Sequence, residues 1–109
     1  MTVREMAEKL SLTPITAGDD ERECAGAYIG DLLSWVMGRA KQDNVWITIM
    51  SNINIVAVAS LADVACIVLA EGVTLEDNVR ATAEQKGVNV YTSEKTAYEL
   101  AAELAGLLA

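Results

Sequence analysis

The run INIVAVASLADVACIVLA, from Ile53 to Ala70, carries only three polar side chains: Asn54, Ser60 and Asp63. A chain with such a stretch either crosses a bilayer or doubles back on itself in water. A spanning helix needs about 20 apolar residues, and an aspartate near its centre costs roughly 2.5 to 3.5 kcal/mol. No Lys or Arg stands close to either end to orient an insertion. The stretch therefore reads as a buried helix over about Asn54 to Val64, then a short strand over about Ala65 to Ala70 that Glu71-Gly72 stops. Asp63 falls at the break, where its charge reaches water.

A chain of 109 residues is expected to be one domain, 1–109, burying roughly 65% of the surface its unfolded form exposes. Hydrophobic residues make up 52% of it without a single Phe, so small and β-branched side chains fill the core, as helix-on-sheet packing favours. The formal charge is -8 and the basic residues form no stripe, which disfavours nucleic acid as a partner. There is no histidine, so Ser-His-Asp and Cys-His nucleophilic sites and His-ligated metals are excluded. Cys24 and Cys66 form no CxxC pair, and the N-terminus lacks a basic-then-apolar leader; the expected setting is reduced and cytoplasmic, with no membrane partner.

Along the chain, Thr2 and Glu5 form a capping box before the stripe Val3, Met6, Ala7, Leu10. Ser11 to Pro14 ends that helix, and Ile15-Thr16-Ala17 reads as a short edge strand before a turn at Gly18 to Glu21. Glu23 to Gly30 is extended. Asp31 reads as the N-cap of a helix carrying Leu32, Leu33, Val36 and Met37, closed by Gly38 or by Lys41 to Asn44. Val45 to Met50 alternates with both faces mostly apolar, the mark of a parallel strand covered on two sides. Thr74 reads as the cap of a helix bearing Leu75, Val79 and Ala83 and ending at Lys86-Gly87. Val88 to Tyr91 is the next strand, and Ser93 reads as the cap of a last helix with Leu100, Leu104, Leu107 and Leu108 buried. The alternation predicts a three-layer α/β/α sandwich with a mainly parallel sheet of about four to five strands.

In such sheets ligands bind beyond the carboxyl ends of the strands. Ser51, Asn52 and Asn54 follow one central strand there, and Thr92 and Ser93 another. A phosphate, carboxylate or nucleotide moiety can accept N–H bonds at Asn54 or Ser93. The same residues also serve as helix caps, and on spacing alone that role comes first; Asp31 and Ser34 share the ambiguity. Ala25 to Gly30, AGAYIG, matches neither GxGxxG nor GxxxxGK[ST], so Gly26 is read as a glycine for close backbone approach. Cys66 reads as a small apolar filler, while Cys24 stays open. Asp19 to Glu23 lacks the calcium-loop spacing, and no metal site or cofactor is expected. Trp35 lies off the apolar stripe of its helix, which points to a homodimer formed through that helix.

The segments ERECAGAYIGDLLSWVMGRAK, VWITIMSNINIVAVASLADVACIVLAEG and GVNVYTSEKTAYELA, taken in order, resemble the DRTGG domain. This module occurs alone, attached to phosphotransacetylases and CBS-containing pyrophosphatases, and in related form at the N-terminus of HPr kinase/phosphorylase. Gly30-Asp31-Leu32-Leu33-Ser34, Asn54 and Ala57 to Leu61 match well, whereas Ala25-Gly26-Ala27 stands where the family has Thr-Gly-Gly. The resemblance implies a fold like the N-terminal domains of HPr kinase and of a murein ligase, dimers, and a regulatory or ligand-sensing role. It implies no kinase activity, because the P-loop catalytic domain has no counterpart here.

The leading expectation is thus a non-catalytic regulatory module that dimerises and binds a small anionic ligand or nucleotide. A second is a protein-protein adaptor docking on a partner enzyme through Trp35 and the acidic surface. Carboxylate chemistry at Asp31 or Asp63 is the weakest, since spacing pairs neither with a second carboxylate.

Overall fold

The computed structural model describes residues 1–16 and 18–108. In chain order these hold α1 (Val3–Lys9), β1 (Thr13–Pro14), β2 (Ala27–Ile29), α2 (Leu33–Arg39), β3 (Val45–Thr48) and α3 (Asn54–Ala62). They continue with β4 (Cys66–Leu69), α4 (Asp77–Gln85), β5 (Val90–Thr92) and α5 (Ala97–Leu108). The strands form one sheet in the order β1-β5-β4-β3-β2. Only β1 runs antiparallel to its neighbour; β2, β3, β4 and β5 are parallel.

The two central strands have no exposed position, and their alternate side chains enter different cores. Val45, Ile47, Cys66 and Val68 pack with Val3 and Met6 of α1 and with Leu100 and Leu104 of α5. Trp46, Ile67 and Leu69 pack with Val36, Ile55, Val58 and Val79 of the other three helices. The result is a three-layer α/β/α sandwich, with α1 and α5 on one face and α2, α3 and α4 on the other. Each fully buried Val, Ile or Leu stabilises it by roughly 1.5 to 3 kcal/mol.

The greasy stretch turns its corner at Asp63, the left-handed C-cap of α3 with φ 56° and ψ 44°. Aspartate tolerates that conformation better than a β-branched neighbour would, and its side chain reaches Arg22 Nη2 at 3.0 Å. No helix of the described residues is long and apolar enough to cross a membrane.

Several element boundaries differ from the sequence reading, and hydrogen-bond partners that local spacing did not reveal account for those at β3, α2 and α5. β3 stops at Thr48 rather than Met50: the Ile49 N–H donates to Asp31 Oδ1 and the Met50 N–H to Thr48 Oγ1. Asp31 is therefore not the cap of α2, which begins beyond Leu32 with no side-chain cap. Helix α4 starts at Asp77, not near Thr74. Ser93 does not cap α5 either. Its N–H donates to the Leu69 carbonyl and its own carbonyl accepts from Gly72, so it still belongs to the sheet. Thr96 and Glu99 form the capping box that starts α5. The edge strand lies at Thr13–Pro14; Ile15 and Thr16 follow it with their N–H groups on the Val90 carbonyl, and Ala17 lies outside the described residues.

Candidate functional site

Parallel register brings the carboxyl ends of three strands side by side, since Thr48 pairs with Leu69 and Leu69 with Thr92. Ser51 to Asn54, Glu71-Gly72 and Ser93 to Lys95 therefore emerge at one end of the sheet, where Asp31 arrives from β2. Of the residues singled out from sequence, Asp31, Ser34, Ser51, Asn52, Asn54, Thr92 and Ser93 all stand at or near this end. Gly26 does not. It precedes β2, its carbonyl accepting from the Val45 N–H, so it sits at the amino end of the sheet.

Asp31 is the organiser of this rim. Its Oδ1 accepts from Thr48 Oγ1 at 2.7 Å and from the Ile49 N–H at 2.9 Å, tying the loop after β2 to the tip of β3. Asn52 Oδ1 accepts from the Asn54 N–H at 2.9 Å. The next two N–H groups, of Ile55 and Val56, donate to the Asn52 and Ile53 carbonyls. The amino terminus of α3 is thus closed by its own turn and does not offer the N–H cradle expected from sequence. Thr92 Oγ1 donates to the Val73 carbonyl at 2.6 Å, and Ser93 Oγ accepts from the Lys95 N–H at 3.1 Å. The Asn54 side chain is exposed and lines an apolar groove of about 470 Å³ between α3 and α4.

The charges at this rim are acidic. Asp31, Glu71 and Glu94 stand there, and Lys95 is held by Glu103 at 2.8 Å. Glu94 crowds Gly72, whose φ is 74°: a Cβ there would lie 2.6 Å from the Glu94 carboxylate. Hydrogen-bond donors on a ligand fit this end better than bare anionic oxygens do.

The amino end of the sheet holds a cluster that the sequence reading missed. Arg22 donates through Nε and Nη2 to Asp43 Oδ1, at 3.0 and 2.8 Å, and through Nη2 to the Asp63 carbonyl at 2.6 Å. Burial by itself pulls the Arg22 pKa down, but the hydrogen bonds and charges of Asp43 and Asp63 outweigh it and the net shift is upward. A cavity of about 250 Å³ lies beside the cluster, lined also by Lys86 and Asn89. The one local sign was the pair of aspartates in turns; both adopt positive φ, 67° at Asp43 and 56° at Asp63. A third cavity, about 320 Å³ and apolar, lies between α5 and the β2 side of the sheet.

Both thiols are buried. Burial pushes Cys24 up to about 11 and raises Cys66 further, which deprives each of thiolate character. Among the described residues no cluster of three or more potential metal ligands occurs. Trp35 is 52% exposed, with the Arg39 guanidinium 3.7 Å above its ring.

No curated protein matches the chain. Among solved structures, it is similar to the CBS and DRTGG domains of the regulatory region of Clostridium perfringens pyrophosphatase, crystallised with the activator diadenosine tetraphosphate. The TM-score is 0.73 at 10% identity, covering 94% of this chain and 45% of that one, so this chain spans under half of its length. At that identity the likeness is one of fold. The family model described as DRTGG domain matches residues 5–107.

Proposed function

The chain belongs to the DRTGG domain family, and on that premise we propose that it is a non-catalytic regulatory module that senses a nucleotide and works as a homodimer. The solved regulatory region with this fold is complexed with a dinucleoside polyphosphate. Among the residues of this chain, the observation that supports the reading best is the rim held by Asp31. Ser51, Asn52, Asn54, Thr92 and Ser93 stand there around strand tips whose backbone is already tied down. Such a surface binds without having to order itself first. The carboxylates at the rim suit the amino group of a base and the hydroxyls of a ribose, which donate. The base and ribose then carry the binding at this rim, since the closed amino terminus of α3 offers no N–H cradle to a phosphate.

Absence of activity is supported by the missing histidine and by two buried thiols with raised pKa values. Trp35, half-exposed on α2, supports the dimer. The adaptor reading shares that tryptophan but needs no ligand at the rim.

Thermal unfolding with a panel of nucleotides, diadenosine tetraphosphate included, tests the ligand. Binding at 100 times Kd stabilises by about 2.7 kcal/mol, a rise of several degrees in Tm for a domain of this size. Ser51→Ala and Asn54→Ala should reduce the rise while leaving the ligand-free Tm unchanged. No rise with any nucleotide at millimolar concentration refutes the sensing role and leaves the adaptor.

A further inference from the structure

A cavity of about 230 Å³ lies between α1, β1 and β5 and shares no residue with the strand-tip rim or with the Arg22 cluster. Tyr91 of β5, which stands opposite Pro14 of β1, lines it. Tyr91 is 5% exposed, and no group among the described residues bonds to its hydroxyl. Nor is that oxygen sealed off: among the described residues the one enclosed side-chain polar atom without a partner is Asn89 Oδ1. A hydroxyl neither bonded nor enclosed opens on the cavity its ring borders. Buried polar groups are almost always bonded, so this one points to an occupant that bonds it.

The neighbours of Tyr91 select the occupant. Burial first, then the charges of Cys66, Asp20 and Cys24, push its pKa up to about 12, so the hydroxyl stays protonated at neutral pH with Asp20 close to it. Glu8 and Asp20 line the cavity and pair with no cation among the described residues, whereas the Arg4 guanidinium there is held by Glu21. The surplus is negative on a chain of net charge -8, which repels anions and draws cations. A bare metal ion is poorly suited, since no cluster of three or more potential ligands occurs among the described residues. The Leu12 and Pro14 walls are apolar and favour hydrocarbon over water.

From this geometry we infer that the cavity binds a primary ammonium on a short aliphatic stem. The ammonium donates to Tyr91 Oη and to the Asp20 and Glu8 carboxylates, while the stem lies against Leu12 and Pro14. A free aliphatic amine and a lysine side chain of a partner carry this same chemistry. The site is additional to the sensing role at the rim and does not depend on it.

Backbone amide NMR shifts of the full chain at neutral pH test the site, with n-butylamine as the probe. Two controls separate its parts: n-butanol keeps the stem without the charge, and tetramethylammonium keeps the charge without an N–H. Saturable shifts are expected at Glu8, Asp20 and Tyr91 with butylamine, and both controls should bind at least about tenfold more weakly. Tyr91→Phe deletes only the hydroxyl and Asp20→Asn only the charge. Each should weaken butylamine about tenfold without lowering the ligand-free Tm. If Tyr91→Phe fails to fold, Asp20→Asn and the two controls on the unmodified chain still decide. Nα-acetyl-lysine amide separates the sources: binding at least as tight as butylamine assigns the site to a partner's lysine, and binding about tenfold weaker assigns it to a free amine. Equal response to butylamine and either control, or equal affinity in wild type and Asp20→Asn, overturns the ammonium site. So does the lack of any saturable shift at about 50 mM butylamine.

Discussion

Replacing Asp31 tests the central structural statement, that one carboxylate ties the loop after β2 to the tip of β3. Its Oδ1 serves two donors, and they are not equivalent. Thr48 is 2% exposed, so losing its acceptor leaves a buried hydroxyl without its carboxylate partner. A hydrogen bond to a charged group contributes about 1.5 to 3 kcal/mol, and the low end applies here because Asp31 itself is exposed to solvent. The Ile49 N–H lies where water can replace the carboxylate, and its bond contributes on the order of 0.5 kcal/mol. Asp31→Ala should therefore cost about 2 kcal/mol, and Asp31→Asn, which keeps an acceptor, about 1 kcal/mol. Urea unfolding reads this as a lower midpoint at an unchanged slope, since the folded core is untouched. Thr48→Val also removes the acceptor of the Met50 N–H, so it is destabilising by itself. The double variant must then cost less than the sum of the two single ones, by about 1 kcal/mol or more. An Asp31→Ala loss below about 0.5 kcal/mol, or strict additivity with Thr48→Val, refutes the reasoning.

Two further outcomes follow from the ionisable groups. Hydrogen bonds from the backbone N–H and then the hydroxyl of Thr2 hold the Glu5 carboxyl below its ordinary value of 4.5, and Thr96 does the same for Glu99. A depressed carboxylate contributes stability that is present above its unfolded pKa and lost as pH falls through the folded one. Urea midpoints measured downward from pH 6 should accordingly fall below about pH 4.5, and more shallowly in Glu5→Gln and Glu99→Gln; pH profiles parallel to wild type would contradict the two capping boxes. Cys24 and Cys66 should both resist a thiol reagent at pH 8 in the native chain and both react in urea. A thiol that reacts rapidly without denaturant would show that the α1 and α5 face of the core opens.

Local physics decided much of this fold in advance. The Thr2–Glu5 capping box, the two-faced burial of Val45 to Thr48 and the break at Asp63 each depend on neighbours within a few residues, so pattern and spacing suffice to place them. The same holds for the end of α4 at Lys86-Gly87, where glycine takes φ 71°. The three-layer sandwich follows once these pieces alternate.

Tertiary structure decided the uses of the polar side chains. An oxygen on Asp, Ser, Thr or Asn accepts from whichever donor stands nearest, and across a sheet that donor is remote in sequence. Asp31 reads locally as a helix cap but is taken by Thr48 and Ile49, which parallel pairing brings beside it. Ser93 is held in the ladder by Leu69 and Gly72, which leaves the capping of α5 to Thr96. Arg22 meets Asp43 and Asp63 only because the turns after α2 and α3 end at the same pole of the sheet. Gly26 falls at that pole, far from the strand tips it was grouped with, because β2 runs parallel to β3. Apolar periodicity is a property of the local chain, whereas hydrogen-bond partnership is settled by which strand ends become neighbours.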